Sequence, residues 1–191
     1  ADETLLPITL NSLPKNINAI NITMGYPLKD IPTTSLLFSI FQLFVSQEKL
    51  QKTIVNEFYH KDVVRFLKHQ SVYKLLSDKN SALVDNFTKE IGKENLIFIN
   101  KAQIESILID TTASVKSGIS AIFNSYTTIN EFLDRILNLI ALLKEDVTTL
   151  EKEYLFRFYT AFTQLKTLQT EYEYFTDLKT LFLFFKQLIS S

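Results

Sequence analysis

Apolar residues in the last third of the sequence recur three and four positions apart over long stretches. This spacing places them along one face of an α-helix, so each stretch predicts an amphipathic helix that buries that face. The apolar positions of the three stretches are Ile129, Phe132, Leu133, Ile136, Leu137, Ile140 and Leu143, then Leu150, Tyr154, Phe158, Phe162, Leu165, Leu168 and Tyr172, and then Leu178, Leu181, Phe182, Phe185 and Leu188. Because the joints between the stretches are short, we predict that the three helices pack as an antiparallel layer.

The composition favours helices in the rest of the chain as well. Of the 191 residues, 46% are hydrophobic, whereas only 3 are glycine and 4 are proline. Glycine and proline interrupt helices most strongly, so their scarcity favours long helices over many short strands. We therefore predict a mainly α fold, a helical bundle-like domain with one or two short strands near the N-terminal half.

The predicted strands are residues 17–23, where apolar and polar residues roughly alternate, and the short apolar run at residues 96–99. A longer helix is predicted to begin at Pro32, where the hydroxyls of Thr33 and Thr34 can cap free backbone N–H groups. Shorter helices are predicted at residues 3–13, 48–56, 62–68, 72–76, 81–91 and 101–108, while the small and polar segment 110–125 is ambiguous. Gly92 is the predicted residue just beyond the end of one of them.

Several classes of functional site are excluded by residue type. The chain has no cysteine and only two histidines, which excludes disulfides, thiolate metal sites and His-rich metal sites. Its three glycines lie far apart, so it has no phosphate-binding glycine loop. The longest apolar stretch, residues 36–45, is too short to span a membrane. We expect a cytoplasmic chain with no catalytic residues, no metal, no cofactor and no membrane partner.

Three basic residues, Lys61, Arg65 and Lys68, are spaced so that they would share one face of a helix. Such a stripe can contact nucleic-acid phosphates, and His69 beside it could donate a hydrogen bond to a partner or to the DNA backbone. The whole chain carries 20 basic and 21 acidic residues, so it lacks the basic excess of an autonomous DNA-binding protein. The stripe is equally consistent with an ordinary solvated surface.

Three segments together resemble one protein family. They are residues 1–14, with the sequence ADETLLPITLNSLP, residues 21–28, with NITMGYPL, and residues 58–69, with FYHKDVVRFLKH. Their succession is similar to the middle region of large PD-(D/E)XK-family nuclease proteins of Bacteroidetes bacteria. These proteins resemble the AddB/RexB-type subunit of the helicase–nucleases that process double-strand DNA breaks.

The resemblance implies that residues 1–191 are a single fragment of a larger protein. Residues 1–30 would then begin a helicase-like lobe of the UvrD superfamily, as a helix, a strand and a turn, and residues 31–191 would be a helical accessory insertion. The nuclease signature of the family belongs to a C-terminal region, and no residue of this chain matches it. The implied partners are the remaining domains of the parent chain, DNA and a partner helicase subunit.

These observations predict a non-catalytic helical domain of a DNA-repair helicase–nuclease, which scaffolds the parent and contacts DNA. A helical protein–protein interaction module unrelated to DNA is the alternative. A contiguous basic stripe through Lys61, Arg65 and Lys68 would favour the first function. Exposed aromatic patches away from any basic stripe would favour the second.

Overall fold

The computed structural model describes residue 12 and residues 28–50, 57–77, 82–144 and 147–190. This part of the chain is mainly helical, as predicted, with nine α-helices and one two-stranded sheet. A 3-10 turn at Leu28–Asp30 leads into α1 (Pro32–Leu50), β1 (Glu57–Tyr59), α2 (His60–Leu67), α3 (Gln70–Ser77), α4 (Leu83–Lys93), β2 (Phe98–Asn100), α5 (Lys101–Ile107), α6 (Ala113–Ile122), α7 (Ile129–Leu143), α8 (Thr149–Tyr172) and α9 (Leu178–Ser190). The predicted helix at residues 3–13, except Ser12, and the predicted strand at residues 17–23 lie outside the described residues.

The sheet joins two segments of the N-terminal half. Strands β1 and β2 pair antiparallel, with Phe58 opposite Ile99. Both of these side chains are fully buried, and β1 packs against α1. The strand predicted at residues 96–99 is therefore confirmed, although it begins at Phe98 and ends at Asn100, and its partner is β1.

Helix α1 lies at the centre of the fold. It contacts β1, α2 and α9, and its apolar positions, Leu36, Leu37, Ile40, Phe41, Leu43 and Phe44, are buried. The Phe41 ring lies 4.7 Å from the ring of Phe182 and 5.5 Å from that of Phe185, both on α9. It also contacts Phe132 of α7 at 5.2 Å and Phe162 of α8 at 6.5 Å. We call these five rings the Phe41 cluster; it joins the predicted C-terminal helices to α1.

The three helices predicted in the last third are confirmed, but Leu150 and Tyr172, predicted on the buried face of the second, are 61% and 69% exposed. Helices α7 and α8 pack against each other, and Phe185 of α9 lies 5.1 Å from Phe162 of α8. Threonine side chains cap two of these helices, because Thr128 accepts from the N–H of Glu131 and Thr148 accepts from that of Glu151. The ambiguous segment 110–125 contains α6, which Thr112 caps in the same way.

The loop between α6 and α7, residues 123–128, is held by polar contacts. The Tyr126 hydroxyl donates to Glu48 of α1 at 2.5 Å. Burial is the largest cause that raises the pKa of Tyr126, and the hydrogen bond to Glu48 is the next largest. The guanidinium of Arg135, on α7, donates to the carbonyl oxygens of Asn124 and Ser125. We call these contacts the Arg135 clasp, because they tie the loop to both α1 and α7.

Two local predictions about helix ends need correction. Helix α1 begins at Pro32 as predicted, but Thr33 and Thr34 lie within its first turn and not at the capping position before it; the Thr34 hydroxyl donates to the carbonyl oxygen of Leu28 at 2.5 Å. Gly92 is not the residue beyond the end of α4, because the helix continues to Lys93. Asn95 instead adopts the left-handed backbone conformation, with φ of 52°. Asparagine tolerates that conformation better than most residues, so the glycine is not needed there.

Alanine substitutions at two helical glycines should have different effects on stability. A Cβ atom at Gly92 would meet no atom within 4 Å, whereas one at Gly118 would lie 2.8 Å from Cδ2 of Leu142. Gly92→Ala should therefore raise the free energy of unfolding by about 0.5–1 kcal/mol through helix propensity alone. Gly118→Ala should be at least about 1 kcal/mol less stable than Gly92→Ala, because Leu142 must move. Urea titrations of both variants measure this, and equal stabilisation would contradict the close approach of α6 and α7.

Candidate nucleic-acid interface

Helix α2 presents a buried face and a charged face. Val63, Phe66 and Leu67 are buried, as predicted, while Lys61 and Arg65 are exposed. Lys68 is also exposed and follows directly after the helix. The predicted basic stripe therefore lies on a regular helix whose orientation is fixed by its apolar side.

All three basic residues line one groove between α2 and α4. The groove has a volume of about 470 Å³, and α2 also contributes His60 and Val64 to it. The opposite side, from α4, consists of Thr88, Ile91 and Gly92. We call it the α2–α4 groove. Its walls are mostly apolar and its edge carries the charges, so it suits an anionic partner that also covers apolar surface.

Two of the three cations are paired with carboxylates of the same chain. Arg65 lies 3.0 Å from Asp62, whose side chain is only 6% exposed, and Lys68 lies 3.5 Å from Asp85. Lys61 has no carboxylate partner among the described residues, and its ammonium lies 6.0 Å from the centre of the Tyr59 ring. The net positive charge at the groove is therefore smaller than the sequence suggests.

The structure places His69, the fourth predicted contact residue, outside this groove. Its Nε2 lies 3.0 Å from the carbonyl oxygen of Pro32 and 2.9 Å from the hydroxyl of Ser35, at the start of α1. Its Nδ1 accepts from the backbone N–H of Ser71 at 3.3 Å. These bonds connect the joint between α2 and α3 to α1, so His69 supports the position of α2 within the fold.

Protonation of His69 should weaken the folded state. Burial lowers the pKa of His69 below its ordinary value of 6.5, although its bond to Pro32 acts in the opposite direction. Because the folded pKa lies below the unfolded one, this stability is fully present above about pH 6.5 and is lost as the pH falls below it. We expect a lower urea midpoint at pH 5.5 than at pH 7.5. The difference should be smaller in His69→Gln; an equal difference in both proteins would contradict this role.

Nothing in the sequence indicated the α4 side of the groove or the ion pair between Lys68 and Asp85. Thr88, Ile91 and Gly92 are spaced to share a helix face, but nothing in the spacing indicates that α4 packs beside α2. Asp85 is also distant in sequence from Lys68, and Tyr73 donates a second bond to it at 3.1 Å. These residues could be assigned only once the packing of the two helices was known.

A second exposed surface lies on α8. Phe156 is 58% exposed and Tyr159, one turn later, is 37% exposed. The ammonium of Lys144 lies 5.5 Å from the centre of the Phe156 ring and 4.5 Å from that of Tyr159. We call Lys144, Phe156 and Tyr159 the α8 aromatic patch. Large exposed aromatic side chains of this kind are common where proteins bind each other.

Among the described residues, no three or more histidine and acidic side chains are grouped so that they could hold a metal ion. In the same part of the chain, no helix has the length and apolar character needed to cross a membrane. Comparison with protein-family models found none that matches this chain. Comparisons with curated proteins and with solved structures likewise gave no match.

Proposed function

We propose that this chain is a non-catalytic helical domain of a helicase–nuclease that repairs double-strand DNA breaks in the cytoplasm. In this role it scaffolds the parent protein and contacts DNA through the α2–α4 groove. The resemblance of residues 1–14, 21–28 and 58–69 to the AddB/RexB-type subunit supports the choice of assembly. The partners would be the remaining domains of the parent, DNA and a partner helicase subunit.

The observation that carries the proposal is the convergence of Lys61, Arg65 and Lys68 on one groove. Exposed cations that act together can neutralise neighbouring phosphates and release the counterions bound to them, which drives DNA binding at low salt. The exposed ion pair between Lys68 and Asp85 reduces this effect without removing it, because exposed pairs are weak. Arg65 is 58% exposed, so its guanidinium can reach a phosphate while it stays paired with Asp62. We therefore expect weak, sequence-independent binding that depends steeply on salt.

Fluorescence anisotropy with labelled single-stranded and duplex DNA tests the proposal at low and at higher salt. The variant Lys61→Ala/Arg65→Ala/Lys68→Ala should lose at least about tenfold in DNA affinity at low salt. Lys116→Ala/Lys152→Ala/Lys179→Ala is the matched control, since it removes the same charge from exposed positions on α6, α8 and α9. Wild-type protein that does not bind at low salt, or equal losses in both variants, would overturn the proposal.

The single substitution Lys61→Ala separates an effect on DNA binding from an effect on folding. Arg65→Ala leaves the buried carboxylate of Asp62 without its ion-pair partner, which can destabilise the domain. Lys61→Ala has no such effect, because Lys61 is exposed and unpaired among the described residues. It should therefore weaken DNA binding while the melting temperature stays unchanged.

The α8 aromatic patch supports a second candidate, a protein–protein interaction module unrelated to DNA. Phe156 and Tyr159 lie on α8 and Lys144 directly follows α7, so the patch lies on neither of the two helices that build the groove. The DNA titration separates the two candidates. If the wild-type protein fails to bind DNA even at low salt, partner docking is the better account. If it binds DNA, Phe156→Ser/Tyr159→Ser should leave the affinity unchanged.

A further inference from the structure

The ion pair between Lys68 and Asp85 joins a cation that lines the α2–α4 groove to a carboxylate on α4. The Lys68 ammonium lies 3.5 Å from Oδ1 of Asp85, and the two side chains are 43% and 47% exposed. The other carboxylate oxygen, Oδ2, accepts a hydrogen bond from Tyr73 at 3.1 Å. The pair is thus open to solvent, yet its acidic partner is held from a second side.

A carboxylate in this position occupies the place that a phosphate oxygen would take beside Lys68. Asp85 neutralises part of the positive charge that Lys68 can offer to a phosphate, so the two anions compete for Lys68. We propose that Asp85 is a specificity-determining residue of the groove, an internal anion that competes with phosphate for Lys68. This inference rests on the proposed DNA contact.

Asp62, the other carboxylate at the groove, is not suited to this role. Its side chain is only 6% exposed and lies 3.0 Å from Arg65, three residues later in the same helix. Opening that pair would leave a buried carboxylate without its ion-pair partner, which is costly. Asp85 belongs to a different helix from the one that Lys68 follows, and Tyr73 still bonds to it when Lys68 moves away. The pair with Asp85 is therefore the one that can exchange.

The competition favours one class of anion over another. A single carboxylate on a partner protein would form an ion pair with Lys68 no stronger than the pair that Asp85 already forms. A DNA strand brings closely spaced phosphates to Lys61, Arg65 and Lys68 together and releases condensed counterions, so it can displace Asp85. Asp85 consequently keeps acidic proteins out of the groove while it admits a polyanion.

Asp85→Asn tests this inference with a closely matched control. Asparagine keeps a side-chain oxygen that can accept from Tyr73, but it no longer holds Lys68 by charge. Glu153→Gln is the control, because it causes the same change in net charge and frees Arg157 from an exposed ion pair on α8. Anisotropy titrations with the same labelled DNA give the affinities. Thermal melting confirms that each variant folds.

We expect Asp85→Asn to bind DNA about threefold to tenfold more tightly at low salt, with a logarithmic salt slope steeper by about one. Glu153→Gln should bind the same DNA with the wild-type affinity and salt slope. Lys68→Ala should abolish the gain when it is added to Asp85→Asn, and it should change wild-type binding by less than about threefold.

The two proposals fail in different ways. If the wild type binds DNA but Asp85→Asn behaves like Glu153→Gln, or keeps its gain after Lys68→Ala, competition by Asp85 is overturned and the DNA contact stands. If neither the wild type nor Asp85→Asn binds DNA with salt dependence, the DNA contact is overturned and this inference falls with it.

Discussion

Phe41→Ala should lower the free energy of unfolding by about 3–5 kcal/mol, the range measured when large aromatic side chains are removed from protein cores. Phe41 is fully buried, and its ring contacts four other phenylalanines on α7, α8 and α9. Alanine would leave a cavity among these rings that three separate helices would have to close. The loss should therefore fall near the upper end of the range.

Urea titration followed by circular dichroism measures this loss. Phe156→Ala is the matched control, because it makes the same substitution on α8 at a side chain that is 58% exposed. That variant should change the free energy of unfolding by less than about 1 kcal/mol. Similar losses in the two variants would show that the Phe41 cluster is not the centre of the core.

Arg135→Ala should lower the free energy of unfolding by about 2–3 kcal/mol, since hydrogen bonds to charged groups contribute more than neutral ones. The Arg135 guanidinium donates to two carbonyl oxygens in the loop between α6 and α7. Without it, Tyr126 would be the main polar contact that holds the loop against α1. The loop should then open more readily.

Hydrogen exchange at residues 123–128 and urea titration together measure the effect. Arg157→Ala is the control, because Arg157 is 60% exposed and forms only a surface ion pair with Glu153. That variant should lose no more than about 0.5 kcal/mol. If Arg135→Ala leaves exchange in the loop unchanged, the Arg135 clasp does not hold the loop.

Local patterns in the sequence predicted the helices well where one face is strongly apolar. The helices α7, α8 and α9 follow from spacing alone, since burial of one face determines which residues can be apolar. The region containing α6 was ambiguous because Ser117, Gly118 and Ser120 weaken its pattern. The cap at Thr112 and the packing of α6 against α7 stabilise the helix despite the low helix propensity of these residues.

The candidate site was predictable only in part. The spacing of Lys61, Arg65 and Lys68 correctly indicated that they share one surface. It could not indicate that Asp85 pairs with Lys68, because that pair depends on the position of α4 beside α2. The inward orientation of His69 likewise depends on the start of α1, more than thirty residues earlier.

The position of α9 beside α1 has a consequence for the order in which the chain can fold during synthesis. Phe182 and Phe185, which cover Phe41, are synthesised some 140 residues after it. At about 5–20 residues per second, α1 would wait on the order of ten seconds with part of its apolar face uncovered. Native contacts between residues so far apart in sequence also slow folding, because closing the chain between them costs conformational entropy before the contacts form. The high helix content alone would suggest fast folding. Because α9 covers the apolar face of α1, however, a stable core depends on the completion of α9.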